Sequence, residues 1–185
     1  MMLSALDVVR TRISTADVRI SRLEPGEQIA YRSLRLECLR NHPTLFGTTY
    51  AESLAAPSLA FERFIATRHS EHLMFGAFAG GVLGGICGLQ REQREQTRHR
   101  GEIVHMYVAP WMMGQGVGRR LIETVMRHGV EQLGLRQIVL AVVADNEPAV
   151  RLYRRVGFRA YGRLEFAFCS DAGCTTQLLM VYEHR

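Results

Sequence analysis

Three glycines at alternate positions lie between a predicted strand and the most regular predicted helix of the chain. The segment reads Val108-Ala-Pro-Trp-Met-Met-Gly114-Gln-Gly116-Val-Gly118-Arg-Arg120. Glycine removes the Cβ atoms that keep a ligand away from the backbone, and it lets successive N–H groups point into one concavity. Because a helix N-terminus adds partial positive charge, the turn predicts a phosphate or pyrophosphate site. A tight structural entry into the helix is the alternative interpretation.

The segments on either side of this turn predict alternating strands and helices. Residues 102–108 are a strand candidate, and residues 117–133 carry apolar side chains at helical spacing up to Gly134. Residues 137–143 form a continuous apolar run of strand length, predicted to be buried on both faces. Asn146 then caps another predicted helix, which ends at Gly157. A dinucleotide-binding GxGxxG fingerprint is excluded because position 119 is arginine.

The rest of the chain adds elements but no second domain. Residues 1–17 show no clean periodicity and are expected to form a loose extension, so the predicted domain spans 18–185. Further strands are predicted at 18–23, 73–79, 82–90, 158–162 and 177–182, and helices near 24–41 and 57–68. Residues 91–100 contain no apolar side chain and are expected to form a solvated loop. The pattern predicts a single α/β (α+β) domain with a mixed sheet flanked by helices.

Composition excludes several kinds of chemistry. All 23 basic residues are arginine, so no lysine is present to form a Schiff base or a P-loop contact. The positive charges are interspersed with acids, which favours a solvated surface over a nucleic-acid interface. Six glycines between Leu73 and Leu89 argue against a membrane-spanning helix.

The four cysteines do not form a metal-binding pattern. No CxxC pair is present, so no metal site is predicted. Cys169 and Cys174 are placed to face each other across a turn, whereas Cys38 and Cys87 are expected to be buried free thiols. We expect a cytoplasmic protein with reduced thiols.

Two motifs together resemble the GCN5-related N-acetyltransferase (GNAT) family. The turn Met113-Gly-Gln-Gly-Val-Gly118 is similar to the family's R/Q-x-x-G-x-G/A pyrophosphate turn. Residues 146–158, NEPAVRLYRRVGF, are similar to its N-x-x-A-x-x-x-Y-x-x-x-G-F segment. The resemblance covers about residues 18–183 and implies a mostly antiparallel sheet and acetyl-CoA as cofactor. Met113 departs from the family's Arg or Gln, so we expect weaker cofactor affinity, with Gln115, Arg119 or Arg120 compensating.

The resemblance also implies where the cofactor lies. Pantetheine is expected to pair with main-chain groups of Met106 and Val108, where strands 102–108 and 137–143 separate. The Met106 N–H is expected to polarise the thioester carbonyl during direct attack by a substrate amine. The complete predicted cofactor set is Met106, Val108, Met113, Gly114, Gln115, Gly116, Val117, Gly118, Arg119, Arg120, Asn146 and Tyr153.

Proton transfer has one candidate general acid and several candidate general bases. Tyr153 matches the family's general-acid tyrosine, with packing against the sheet as the alternative role. Glu102 corresponds to the general base of some members, although an ideal strand places it ~13 Å from Met106, so it would act through water. A bulge between them would change their relative facing, and an ordinary surface glutamate is the alternative. His105 or water is the other candidate base.

The acceptor side is predicted with less detail. The resemblance implies a substrate wall formed by residues 42–52 and 164–176. Within it, Phe46 and Tyr50 are expected to line a pocket, and Glu52 to recognise an ammonium group. The expected function is acetyl transfer to a primary amine of a small molecule, with no nucleic-acid or membrane partner. Protein N-terminal or lysine acetylation, or a non-catalytic acyl-CoA-binding module, are the alternatives. The 91–101 loop would cover a groove or a pocket equally well, and family habit leaves a homodimer open.

Overall fold

A computed structural model describes residues 17–170 and 173–184. The helices are α1 (Gln28–Asn41), α2 (Tyr50–Ala55), α3 (Ala60–Ala66), α4 (Val117–Leu133) and α5 (Glu147–Arg155). The strands are β1 (Arg19–Arg22), β2 (His72–Ala79), β3 (Val82–Arg91), β4 (Arg100–Val108), β5 (Gln137–Val143), β6 (Arg159–Ser170) and β7 (Gly173–Glu183). Residues 1–16 of the predicted extension lie outside the described residues.

The seven strands form one sheet in the order β1-β2-β3-β4-β5-β7-β6. Every neighbouring pair is antiparallel except β4 and β5, which are parallel. The predicted mixed and mostly antiparallel sheet is confirmed. The β4–β5 pair is parallel because α4 connects the two strands as a crossover. It lies near the middle of the sheet.

Helices cover both faces of the sheet. On one face, α4 and α5 pack through one apolar cluster, which includes Leu121, Ile122, Val125, Val150 and Tyr153. On the other face, α1 and α3 pack through a second cluster, which includes Tyr31, Leu34, Cys38, Phe61 and Ile65. A fully buried leucine or isoleucine contributes about 1.5–3 kcal/mol relative to exposure. The two layers hold β4 and β5 in place between them.

The best sequence signals gave accurate element bounds. Helix α4 has the predicted bounds and ends at Gly134, whose φ of +65° is the left-handed conformation that glycine adopts readily. Strand β5 also has the predicted bounds, but Ala141 is exposed, so the expectation of burial on both faces is wrong there. The side chain of Asn146 accepts a hydrogen bond from the Ala149 N–H and caps α5 as predicted.

Two other segments differ from the prediction. The sequence analysis predicted no helix between residues 41 and 57, but α2 forms there. Thr49 and Glu52 make a reciprocal capping box at its first turn. The β6–β7 hairpin extends well beyond the predicted 158–162 and 177–182, since Asp171-Ala-Gly173 is the only turn signal between the strands. The longer hairpin brings the Phe168 ring against Gly47, in the loop after α1.

The cysteines divide into a bonded pair and two thiols. Cys169 and Cys174 are directly opposite each other in the hairpin and form a disulfide, so the expectation of reduced thiols is wrong for this pair. Cys38 and Cys87 are free and buried, as predicted. Throughout the described ranges, every helix is too short or too polar to cross a bilayer.

Candidate active site

Strands β4 and β5 separate halfway along their length. They pair only from Arg100 opposite Gln137 to Glu102 opposite Val139. Beyond that point β5 continues to pair with β7. The second half of β4 therefore has a strand neighbour only on its β3 side. The predicted separation is observed, and it leaves an open backbone edge at the centre of the sheet.

A β-bulge in β4 accompanies this separation. The β3–β4 register shifts between Gly88 opposite Val104 and Ile86 opposite Tyr107. His105, within the bulge, has φ of +55°, an uncommon value for a residue with a side chain. A bulge bends its strand and increases the local twist, which turns β4 away from β5. Because of the extra residue, the simple alternation expected for Glu102 and Met106 does not apply.

The separated strands form the wall of a cleft of about 1000 Å³. Most of the predicted cofactor and catalytic residues lie around it. Those that line the cleft are Glu102, Met106, Val108, Met113, Gly114, Gly116, Val117, Gly118, Arg119, Asn146 and Tyr153. Two members of the predicted set, Gln115 and Arg120, are not among the lining residues.

The N-terminus of α4 presents uncapped backbone donors to this cleft. Gly116 occupies the cap position with φ of +71°, and the first bond inside the helix runs from the Arg120 N–H to the Gly116 carbonyl at 3.1 Å. No described side chain caps the helix. A Cβ atom at Gly114 or Gly116 would meet no atom within 4 Å, so the space beside the turn is open. Free N–H groups, a helix dipole and open space together suit a phosphate or diphosphate.

The side chains around the turn occupy different places. Met113 is half exposed at the cleft. Gln115 folds back, donating to the Trp111 carbonyl at 3.4 Å, and Arg120 donates to the Val18 carbonyl at 2.9 Å. Arg119 pairs with Glu123 at 2.8 Å and also lines the cleft. Of the three residues predicted to compensate for Met113, Arg119 is the one that lies at the cleft.

Tyr153 lies on α5 with its side chain buried against the sheet. Its ring meets Phe158 edge-on, with centroids 6.0 Å apart, and its side chain lines the cleft. Burial raises the pKa of the phenol well above its ordinary value, so the hydroxyl keeps its proton at neutral pH. Tyr153 thus packs on the sheet, which is the alternative role considered from the sequence, and it also lines the cleft, while its role as general acid stays a prediction.

Burial shifts the pKa values of the two candidate bases in opposite directions, because it disfavours the charged form of each. Glu102 lines the cleft and keeps accessible surface. Partial burial raises the pKa of its carboxyl, and repulsion from Glu92 is the second cause. His105 is enclosed between Tyr31 and Phe61, with its Nδ1 3.1 Å from the Tyr31 hydroxyl. Burial, followed by the charge of Arg35, lowers the pKa of His105 to about 3. The imidazole is therefore a weak base, and Glu102 is the better proton acceptor.

The predicted acceptor residues are not all brought to the cleft. Phe46 lines it, whereas Tyr50 and Glu52 do not. The Glu52 carboxylate instead accepts hydrogen bonds from the N–H and hydroxyl of Thr49, both at 2.8 Å. Other lining residues on this side fall within the expected wall segments 42–52 and 164–176, namely His42, Leu45, Thr48 and Phe168. The sequence analysis missed Arg35, Tyr107 and Gln177.

The loop after α1 and the β6–β7 hairpin meet beside the cleft. A Cβ atom at Gly47 would lie 2.6 Å from the ring of Phe168, so the two segments are in close contact. Gly47 and Phe168 both line the cleft. Residues 91–101 do not line it, and Arg91 is tied to Glu71 at 3.0 Å. The 91–101 loop therefore does not border the acceptor side of the cleft, where Gly47 and Phe168 meet.

Comparison with known proteins agrees with this geometry. Residues 32–158 match the acetyltransferase (GNAT) family. The chain belongs to the GNAT family. This confirms the resemblance inferred from the two motifs. Acetyl-CoA is the cofactor of this family.

Individual GNAT proteins extend the comparison. The chain is 36% identical over 109 residues to N-alpha-acetyltransferase RimI of Mycobacterium tuberculosis, covering 57% of this chain and 63% of RimI. It is 29% identical over 143 residues to mycothiol acetyltransferase of Brachybacterium faecium, covering 76% of this chain and 40% of that protein. The chain thus spans less than two thirds of either relative. YncA of Salmonella typhimurium, solved with its cofactor acetyl-CoA, shares the fold at 15% identity, with a TM-score of 0.74 over 90% of this chain and 93% of YncA.

Proposed function

We propose that this chain is an acetyl-CoA-dependent N-acetyltransferase that acetylates a primary amine of a small molecule by direct attack. The observation that carries the proposal is the separation of β4 from β5 beyond Glu102, which leaves a backbone edge inside a cleft that also contains the uncapped end of α4. An extended ligand with amides at one end and a diphosphate at the other complements both features.

The residues of the chain have distinct roles in this proposal. Acetyl-CoA supplies the acetyl group as an activated thioester. The N–H groups at the start of α4 and the Arg119 guanidinium hold the diphosphate, while the main chain of Met106 and Val108 aligns the pantetheine amides. The Met106 N–H donates to the carbonyl oxygen on which negative charge develops.

Two side chains hold or accept protons. Glu102, whose desolvated carboxylate is a stronger base than an ordinary glutamate, takes the proton of the attacking amine through water. The Tyr153 hydroxyl, which stays protonated, donates to the departing sulfur. The two groups lie on different walls of one cleft, Glu102 on β4 and Tyr153 on α5, as proton removal and proton delivery at separate atoms require.

The contact between Gly47 and Phe168 favours a small acceptor. An extended peptide needs an open groove, and here the loop with Gly47 and the strand with Phe168 are in contact at the cleft. Acetylation of a protein N-terminus is the second candidate, and the 36% identity to RimI favours it. A binding module without catalysis has no use for a protonated tyrosine in the cleft, so Tyr153 argues against that alternative.

Release of free thiol from acetyl-CoA over a panel of amines tests the proposal. The panel comprises amino acids, amino-acid amides, polyamines, aminoglycosides and short peptides. We expect turnover with at least one small amine. A mass gain of ~42 Da on peptides with no turnover of small amines would favour the RimI-like function. Saturable acetyl-CoA binding without turnover of any acceptor would identify a binding module.

A further inference from the structure

Arg35 is a buried cation without an acidic partner. It lies on α1 and is only 4% exposed. Its hydrogen bond to a neighbouring side chain is a long one, from Nη1 to the Cys38 Sγ at 3.9 Å. In residues 17–170 and 173–184 no carboxylate forms an ion pair with its guanidinium. A buried charge is costly unless it is paired, so a guanidinium kept in this position indicates a missing anion.

The groups around Arg35 are uncharged. Its guanidinium lies over the Phe46 ring, 4.5 Å from the centroid. Burial raises the pKa of the Cys38 thiol to about 12 and also raises the pKa of the Tyr31 phenol, so both remain neutral. The low pKa of His105 keeps that ring neutral as well. None of these neighbours balances the positive charge.

Arg35 faces the cleft from the acceptor side. Helix α1 packs on the opposite face of the sheet from α4 and α5, which carry the cofactor residues. The passage between β4 and β5 joins the two faces, and Arg35, Phe46 and Tyr107 line its α1 side. A planar guanidinium held by an aromatic ring is suited to a planar oxyanion, which it binds through two parallel hydrogen bonds.

We propose that Arg35 binds a carboxylate of the acceptor, so that the substrate is a small amino acid bearing a primary amine. This inference rests on the proposed function and narrows its substrate class. The acceptor group that is recognised is then negative, whereas the sequence analysis assigned Glu52 to a positive ammonium group. Because Glu52 caps α2 outside the cleft and Arg35 lines it, polyamines are poor candidates.

Matched acceptors test the proposal. Glycine, β-alanine, γ-aminobutyrate, L-leucine and L-phenylalanine are each compared with their primary amides by acetyl-CoA-dependent thiol release. For each pair, kcat/KM of the acid is divided by kcat/KM of its amide. In Arg35→Met we expect this ratio to fall by about 10- to 100-fold for at least one pair, which is the range for a charge-assisted hydrogen-bonded pair. Because each pair is compared in both proteins, the difference in amine basicity cancels.

Two further variants separate recognition from folding. Arg40→Met removes an exposed arginine from the end of the same helix and should leave the ratio unchanged. Arg35→Lys keeps the charge but loses the planar fork, so it should give an intermediate ratio. Equal losses for acid and amide in Arg35→Met would show that Arg35 only supports the fold, and would overturn the proposal.

Calorimetry keeps this inference distinct from the proposed function. The five acids are titrated into the protein in the presence of coenzyme A, which requires no turnover. Binding of an acid but not of its amide, lost in Arg35→Met, would support the carboxylate site even if no amine is acetylated. Turnover of uncharged amines or peptides, with no acid binding or reacting, would overturn the inference and leave the acetyltransferase function in place.

Discussion

Replacing Gly118 by alanine should stabilise the fold and weaken acetyl-CoA binding. Gly118 lies in the first turn of α4 with ordinary helical φ, so its backbone does not require glycine. A Cβ atom there would lie 3.5 Å from Met106 Cε and 3.6 Å from Leu152 Cδ2, which are normal van der Waals distances. The fold therefore accepts the methyl group. Glycine in a helix costs roughly 0.5–1 kcal/mol relative to alanine, so the apo protein should gain up to about 1 kcal/mol.

The same methyl group occupies space in the cleft. Gly118 and its three nearest Cβ neighbours all line the cleft where the cofactor is proposed to lie. Overpacking by one methyl group typically costs about 1–3 kcal/mol. At about 1.4 kcal/mol for each factor of ten, this corresponds to a Kd for acetyl-CoA weaker by roughly 5- to 150-fold.

Thermal denaturation of the apo protein and calorimetric titration with acetyl-CoA measure the two effects. The Tm should stay constant or rise by about 1–4 °C, since 1 kcal/mol shifts the Tm of a chain this size by about 2–4 °C. Arg127→Ala, an exposed change on the same helix, should leave the Kd unaltered. A Gly118→Ala protein with a raised Tm and unchanged Kd would refute the reasoning, because the glycine would then have no role in cofactor approach.

Three other predictions concern proton transfer and the contact between Gly47 and Phe168. Tyr153→Phe should lower kcat by about 10²- to 10⁴-fold, with a much smaller change in the Kd of acetyl-CoA, and equal turnover would remove the hydroxyl from the mechanism. Glu102 must be deprotonated to accept a proton, so kcat/KM should fall as the pH drops through its pKa, which burial raises above its ordinary value. A pH profile with the same acid limb in Glu102→Gln would assign that limb to another group. Phe168→Ala removes the ring that meets Gly47 and should raise kcat/KM for a tetrapeptide relative to a small amine by about 10-fold. An unchanged ratio would show that this contact does not select acceptor size.

Local signals in the sequence predicted the cofactor half of the site. Helix α4 has a regular apolar period and a glycine at its end, and β5 is a short apolar run, so both elements were predicted with correct bounds. The turn between Gly114 and Gly118 is also local, because its chemistry depends on backbone donors at consecutive positions. Asn146 caps α5 through a bond to a residue three positions away.

The acceptor half depends on contacts between distant parts of the chain. The β4 bulge follows from the register with β3, which residue types alone do not specify. Phe168 reaches Gly47 because β6 and β7 pair well beyond the predicted strands 158–162 and 177–182. Arg35 shares the buried face of α1 with Tyr31 and Leu39, and this helical spacing was the available signal. An arginine normally stays at the surface, so this spacing alone did not distinguish Arg35 from the exposed arginines of the helix.

The central claim is that the uncapped end of α4 binds the diphosphate of acetyl-CoA. Calorimetric titration of the protein with acetyl-CoA and with S-acetylpantetheine, which has the same thioester and amides but lacks the diphosphate and the adenosine nucleotide attached to it, tests it most directly. We expect acetyl-CoA to bind and S-acetylpantetheine to lose most of the affinity. Equal affinity for the two compounds, or no heat with acetyl-CoA on folded protein, would contradict the account.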